Sequence, residues 1–331
     1  MSRIAVIGAG AWGTALSIVL ARAGRHQVQL WAYELEVRES IENTRTNNLF
    51  LPGLKVPETV RVSNSLRDAL EGAETVLTVM PSHHARRLYE QMKPAIPARA
   101  VIVSATKGIE NGTYKRMSEV AADAMGVSHV AALSGPTFAK EVARGDPTAI
   151  TVASIDTNVA ATIQREFSDP MFRVYTNDDV IGVELGCALK NVIAIAAGVV
   201  EGLGFGHNTA AALITRGLAE ITRLAVACGA RPQTLSGLAG MGDLVLTCTG
   251  GLSRNRTVGV ELGRGRKLRD IMAAMHGMVA EGVLTTDAAL GLARQHGIEM
   301  PITEQMHAIL SEEKAPKDAI RELMSRPGRE E

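Results

Sequence analysis

The 331-residue sequence predicts an α/β chain with a doubly wound N-terminal sheet over residues 1–177 and an all-helical C-terminal domain over residues 178–331. Three observations predict it. Seven short apolar runs rich in Val and Ile recur between helix-like segments in the first half, the pattern of buried strands joined through helices. After Tyr175 the strand-like runs stop, and from Asn208 onward Ala- and Leu-rich helical segments follow one another. The length also exceeds what one hydrophobic core usually serves, so two domains are the natural division.

The first apolar run, residues 4–7, leads into Gly8, Gly10 and Gly13 and then into a helix-like segment at 14–23. Residues 4–21 carry 18 positions without a charge, enough to suggest a short membrane helix or the core of a secretory signal. The glycines argue against both. Strand, G-x-G-x-x-G turn and helix in that order form a Rossmann-like unit. Its first glycine permits the tight turn, its second lets backbone approach a pyrophosphate, and its third lets helix pack on strand. The helix N-terminus then turns unpaired N–H groups toward the phosphates. A second strand at 28–31 favours dinucleotide binding over a mere packing turn. Further strands are expected at 75–80, 101–104, 130–133, 149–153 and 172–175, in a largely parallel sheet that binds ligands at its carboxyl edge. Polar clusters at 81–83, 105–108 and 134–137 follow three of these strands and point to that edge. Lys107 is a candidate ligand contact there, whereas Ser134 and Thr137 read as residues that close turns.

In the second half, Asn177 and Asp178 are expected to cap a helix over 179–201, and glycine loops are expected at 236–243 and 247–256. The polar tail at 325–331 should fray. Lys190 interrupts an apolar stretch at 185–200. Such a lysine either snorkels to the surface or faces a cleft, where partial desolvation makes it a usable general base. Asp243, among glycines and apolar neighbours, needs a partner. Ser253, Arg254 and Asn255 follow Gly250 and Gly251; they form either a solvated turn or a guanidinium with hydroxyl and amide donors suited to a phosphate dianion. His83 and His84 lack a full metal-ligand set and read as surface residues.

Lys plus Arg and Asp plus Glu both total 35, so no basic footprint calls for nucleic acid or an anionic membrane. Small molecules or protein are the expected partners, with oligomeric state, a homodimer included, left open. Cys187, Cys228 and Cys248 lack paired metal-ligand spacing, which suits a reducing, cytoplasmic compartment and implies no structural zinc. Aromatics make up 3% of the chain against 32 glycines. The interior must therefore be built from Ala, Val, Ile, Leu and Met packed closely around backbone.

The segments GAGAWGTAL, SATKGIE, SGPTFAKEV, LKNVIAIAAGVVEGLGFG, ALITRGLAEI and GLAGMGDLVLTCTGGLSRNR together resemble the bacterial-type NAD(P)-dependent sn-glycerol-3-phosphate dehydrogenases, in the same order from Arg3 to about Val283. The resemblance implies an N-terminal NAD(P) domain and a helical substrate domain. It also implies interconversion of dihydroxyacetone phosphate and glycerol 3-phosphate, a supply for phospholipid synthesis. By motif, Lys190 is similar to the catalytic base, Lys107 to a second lysine near the substrate oxygen, and Asp243 to the carboxylate holding this lysine network. Gly135, Thr137, Asn191, Thr247, Ser253, Arg254 and Asn255 match substrate contacts. Gly8, Gly10, Ala11, Trp12, Gly13 and Tyr33 match cofactor contacts, joined by Lys107 and Arg254 and, at weaker positions, by Ala139, Val279 and Glu281. Two departures stand out. Ala11 replaces a frequent serine but keeps the backbone N–H. Tyr33 stands where a basic residue is frequent, and Glu34 follows, 21 residues after Gly13. An acid at that spacing either starts a solvated helix or accepts from the ribose 2′-OH and repels a 2′-phosphate; the second reading turns the cofactor expectation toward NAD over NADP.

Two other readings compete. A β-hydroxyacid or 6-phosphogluconate dehydrogenase joins the same architecture to a lysine-asparagine pair. A non-catalytic dinucleotide-binding regulator would need the glycine turn but no desolvated lysine.

Overall fold

The computed structural model of the chain describes residues 1–275 and 279–328. Its strands are β1 Ser2–Ile7, β2 His26–Trp31, β3 Thr46–Asn47, β4 Leu51–Lys55, β5 Val60–Ser63, β6 Thr75–Thr78, β7 Val101–Ser104, β8 Val130–Ser134, β9 Thr148–Ala153 and β10 Phe172–Asn177. The helices in the first half are α1 Ala11–Arg22, α2 Leu35–Thr44, α3 Leu66–Leu70, α4 Ser82–Met92, α5 Met117–Met125, α6 Ala139–Arg144 and α7 Thr157–Phe167. Those that follow are α8 Val180–Gly202, α9 His207–Ala227, α10 Pro232–Leu235, α11 Asp243–Thr249, α12 Arg254–Gly263, α13 Leu268–Ala274, α14 Glu281–His296, α15 Pro301–Ser311 and α16 Pro316–Ser325. Two compact units result, Met1–Lys107 with Lys115–Glu184, and Gly108–Tyr114 with Leu185–Glu331. The division falls inside α8.

In the first unit the sheet order is β10-β9-β8-β7-β6-β1-β2-β5. From β1 the chain builds outward to β2 and β5, then returns to β6 on the other side of β1. The order therefore reverses at β1, and ligands of such sheets bind beyond the carboxyl ends at that reversal. All seven predicted strands form. β8 and β9 pair antiparallel, Ala132 opposite Ala153, so β9 and β10 run against the rest. The connection between β8 and β9 holds only the six-residue α6, and an antiparallel return needs no long crossover. β5 and the β3–β4 hairpin were not predicted; both are short, and LPGLK carries a proline and a glycine that obscure a strand pattern.

α1 starts at Ala11, three residues before the expected start, because Gly13 lies inside its first turn. A Cβ at Gly13 would come 1.8 Å from the Gly8 carbonyl oxygen, and one at Gly8, where φ is +118°, would come 2.0 Å from the Val79 carbonyl oxygen. Helix and turn thus pack backbone on backbone. The uncharged run at 4–21 is divided between β1 and the 12-residue α1.

α8 is capped one residue later than expected. The Asp179 carboxylate accepts from the Gly182 N–H at 2.8 Å, and Asn177 Oδ1 accepts from the Asp179 N–H at 2.8 Å. The first five residues of α8 belong to the first unit and are anchored there through Glu184. Its buried carboxylate accepts from Arg116 Nη1 at 2.6 Å, Ser118 N at 2.7 Å and Ser118 Oγ at 2.5 Å. Burial pushes this carboxyl above the usual range against the pull of Arg116. Among the described residues α8 is the one helix long and apolar enough to cross a membrane, and 94% of its most apolar window is buried within the protein.

The described part of the second unit is helical. α8 crosses α12 at glycines spaced four apart on each helix, Gly198 and Gly202 against Gly259 and Gly263. A Cβ on Gly198 would lie 2.0 Å from the Arg256 carbonyl oxygen, and one on Gly259 would lie 1.9 Å from that of Ile195. Gly198→Ala therefore forces the helices apart. Overpacking a well-filled core costs about 1–3 kcal/mol, and its offset from helix propensity is about 1 kcal/mol. The urea midpoint should fall clearly, and a parental midpoint would show that the crossing is looser than its geometry. Another buried carboxylate, Glu220 of α9, caps α15 by accepting from Ile302 N and Thr303 N, both at 2.9 Å. α16 runs to Ser325; residues 329–331 of the expected frayed tail lie outside the described residues.

Candidate active site

Two sets of predicted residues assemble, one in each unit. In the first, Gly8, Gly10, Ala11, Trp12 and Gly13 follow β1, Lys107 follows β7, and Gly135 and Thr137 follow β8, all at carboxyl ends of strands that run the same way. Gly10 caps α1, and a Cβ there would meet nothing within 4 Å. The steric reason for glycine at 8 and 13 is internal; at 10 the open space suits close approach of a ligand to the backbone. With the N-terminus of α1 beside it, the turn fits the pyrophosphate of a dinucleotide. Trp12, Ala139 and Ala11 pack against the first unit's core, and the Trp12 indole Nε1 is buried without a hydrogen-bond partner. Lys107 Nζ donates to the Gly135 carbonyl at 3.4 Å, and Thr137 Oγ1 closes its own turn by donating to the same oxygen at 3.1 Å.

Tyr33 lies beyond β2, 71% exposed, and Glu34 is the N-cap residue of α2. Sequence reasoning passed over Arg38, one turn into α2, whose guanidinium donates to Asn64 Oδ1 at 3.2 Å and to Glu42 at 3.1 Å. A helical spacing of four from Glu34 was the signal that could have found it. Asn47 was also missed, because an asparagine between turn residues has no sequence signature.

In the second unit the snorkelling alternative for Lys190 fails. Its side chain is 5% exposed and forms an ion pair with Asp243, itself 1% exposed. Nζ also donates to Thr247 Oγ1 at 2.7 Å, and that hydroxyl donates on to the Asp243 carbonyl at 2.6 Å. The expected loop before Asp243 is instead a π-helical turn, Leu238–Gly242, running straight into α11. Gly240 allows it, since a Cβ there would lie 2.1 Å from the Leu235 carbonyl oxygen. α11 then presents Asp243 and Thr247, one turn apart, to the same ammonium. The neighbouring Cys248 thiol is pushed up to about 12 by burial, so it stays protonated at neutral pH.

Beside this cluster, Asn191 Oδ1 accepts from Asn255 Nδ2 at 3.0 Å, and Asn255 Oδ1 accepts from the Gly282 N–H at 2.9 Å. This chain ties α8, α12 and the start of α14, where Glu281 sits after Val279 and Ala280. Ser253 caps α12 through its Oγ, which accepts from Arg256 N at 3.2 Å. Arg254, the first residue of that helix, is half-buried with no ion pair among the described residues, and burial alone holds its guanidinium below its usual value. A partly desolvated cation beside the N–H groups of a helix N-terminus has the chemistry to hold an anion. His83 and His84 lie exposed on the first turn of α4.

Comparison with known proteins gives the family. Residues 3–160 match the model described as the NAD-dependent glycerol-3-phosphate dehydrogenase N-terminus, and residues 179–321 match the corresponding C-terminus. A protein of Koribacter versatilis named glycerol-3-phosphate dehydrogenase [NAD(P)+] is 69% identical over 99% of this chain and 98% of its own length. One of the same name from Acidobacterium capsulatum is 58% identical over the full length of both. The crystal structure of glycerol-3-phosphate dehydrogenase from Coxiella burnetii superposes with a TM-score of 0.94 at 44% identity, covering 98% of this chain and 99% of that one. With both halves matched in order, this chain belongs to the NAD-dependent glycerol-3-phosphate dehydrogenase family.

Proposed function

We propose that this chain interconverts dihydroxyacetone phosphate and sn-glycerol 3-phosphate with NAD(P), supplying glycerol 3-phosphate for phospholipid synthesis in the cytoplasm. The buried Lys190–Asp243 pair carries the reading, because a lysine held at that depth has a fixed position from which its ammonium donates a proton and its neutral amine accepts one. The bound dinucleotide supplies or accepts the hydride. Gly8, Gly10, Ala11 and Gly13 hold its pyrophosphate, and Trp12, Tyr33 and Ala139 line it, with Val279 and Glu281 as further contacts. During reduction Lys190 stabilises the charge growing on the substrate C2 oxygen and then protonates it; during oxidation its neutral amine takes that proton. Asp243 and Thr247 keep the ammonium in position, and Lys107, steadied by the Gly135 carbonyl, supplies a second positive charge toward the same oxygen. Arg254, with Ser253, Asn255 and the α12 N-terminus, takes the phosphate.

A β-hydroxyacid without phosphate gives no work to Arg254, and the relatives' names run against both that reading and 6-phosphogluconate. A regulator without turnover gives no work to the buried lysine. Initial rates with NADH and NADPH on dihydroxyacetone phosphate and on a panel of hydroxyacids test the proposal. Turnover of a hydroxyacid in preference to the phosphate would overturn it.

We further propose that NAD is preferred. Glu34 caps α2 three residues beyond β2, and the arginine of the following turn, Arg38, is engaged with Glu42 and Asn64. Glu34→Arg should shift the kcat/KM ratio toward NADPH by at least about tenfold, the worth of one hydrogen bond to a charged group. A parent enzyme already far better with NADPH would sink the inference.

A further inference from the structure

The glycine turn at the start of α1 is held from outside by a residue with no place in the motif. Asn47, at the end of β3, is fully buried. Its Nδ2 donates to the Ala9 carbonyl at 2.8 Å and to Thr14 Oγ1 at 2.8 Å, while its Oδ1 accepts from the Phe50 N–H at 3.0 Å. The amide orientation is not arbitrary. A backbone N–H can only donate and a carbonyl can only accept, so Phe50 and Ala9 together dictate which end is oxygen. Thr14 Oγ1, accepting from Asn47, reaches the same Ala9 oxygen at 3.3 Å.

Fixing that carbonyl fixes more than a carbonyl. Among the described residues there are no cis peptide bonds, and in a planar trans peptide the C=O and the following N–H point in opposite directions. An Ala9 oxygen drawn toward Asn47 and Thr14 therefore turns the Gly10 N–H the other way, at the glycine where a Cβ would meet open space. Without the two donors, the Ala9–Gly10 peptide is free to rotate about its flanking dihedrals, and a glycine on one side makes that rotation easy. Bound anions gain from N–H groups that are aimed before they arrive, because ordering them on binding costs affinity.

We propose that Asn47 is a positioning residue for the cofactor: its side-chain amide, working through Thr14 and the Ala9 carbonyl, presets the Gly10 N–H for the dinucleotide pyrophosphate. This inference rests on the dinucleotide reading of the glycine turn. It makes the β3–β4 hairpin part of the cofactor site although Asn47 itself touches no ligand.

The test uses the full-length enzyme and three variants. Asn47→Ala removes both ends of the amide. Asn47→Asp keeps shape and the acceptor for the Phe50 N–H but replaces the donor. Thr14→Val leaves the hairpin bonds and the direct bond from Asn47 to the Ala9 carbonyl intact and removes the hydroxyl that is the second donor to that carbonyl. NADH affinity is measured by fluorescence titration, and steady-state constants are measured with each substrate varied. Losing a donor to a buried carbonyl should raise the NADH Kd and KM by about tenfold in both Asn47 variants and by less in Thr14→Val. Both kcat and the dihydroxyacetone phosphate KM at saturating NADH should stay within about twofold. A purely structural residue would instead lower the melting temperature and the active fraction without separating the two KM values. A parental NADH Kd in the variants that fold overturns the proposal, Thr14→Val serving where the Asn47 variants do not fold. A parent enzyme that binds no NADH overturns the underlying dinucleotide reading instead.

Discussion

Lys190→Met is expected to lower kcat in both directions by roughly 10²–10⁴-fold, the usual contribution of general acid–base catalysis, and by more where electrostatic stabilisation of the C2 oxygen is lost with it. Methionine keeps the length and apolar stem and removes the proton. The structure adds a second consequence. Asp243 is 1% exposed and ion-paired to Lys190, so the variant leaves a carboxylate buried without its cation, a change that costs about 3–5 kcal/mol when a buried pair is broken. Lost rate and lost stability must therefore be separated. The double variant Lys190→Met with Asp243→Asn removes both charges; it should recover much of the urea midpoint and none of the rate. NADH affinity should hardly move in either, since the cofactor turn belongs to the first unit. If Lys190→Met retains near-parental kcat, Lys190 is a packing lysine and Lys107 becomes the leading candidate for proton transfer.

Arg254→Ala is expected to raise the KM for dihydroxyacetone phosphate by about 10–100-fold, because a hydrogen bond to a charged group contributes about 1.5–3 kcal/mol and each 1.4 kcal/mol is tenfold. The guanidinium is half-buried and its value is lowered by burial alone, so a phosphate relieves a cost already present in the free enzyme. Dihydroxyacetone, which lacks the phosphate, supplies the control. Its rate should be nearly the same with parent and variant, and the preference for the phosphorylated substrate should collapse. Arg254→Lys should recover part of the affinity, as charge is retained and the bidentate fork is lost. An unchanged KM for both substrate and cofactor would remove Arg254 from the site.

The parts of this protein legible in the sequence are those set by interactions within a few residues. The strand-turn-helix at the N-terminus could be read because the need of Gly13 arises from its own turn, 1.8 Å between its Cβ and the Gly8 oxygen, and that of Gly8 in part from its φ of +118°; the approach of Gly8 to the Val79 carbonyl is a tertiary contact. The seven runs became strands because each supplies the apolar residues its buried face requires, on both faces within the sheet and on one face at its edge, where β10 buries Phe172 and Val174 and exposes Arg173 and Tyr175. Lys190 and Asp243 could be singled out as odd residues in their settings. Their pairing could not, since it joins positions 53 residues apart in the chain and depends on the π-helical turn that delivers Asp243. The same holds for the link from Asn191 through Asn255 to Gly282. That link exists because glycines on α8 and α12 let two backbones approach closely, and spacing alone does not say which helices will meet.

By itself, then, the sequence determined the α/β class, the glycine turn, the helical second half and the residue types available for chemistry, because backbone sterics and hydrophobic periodicity act locally. Tertiary structure decided the reversal of β9 and β10, the inward course of Lys190, the isolation of the Arg254 guanidinium and the hold of Asn47 on Ala9. Each of these is a contact between segments remote in the chain. Such contacts are selected by the packing of whole helices and sheets and by the need to pair every buried polar group, conditions met only once the elements have found their neighbours.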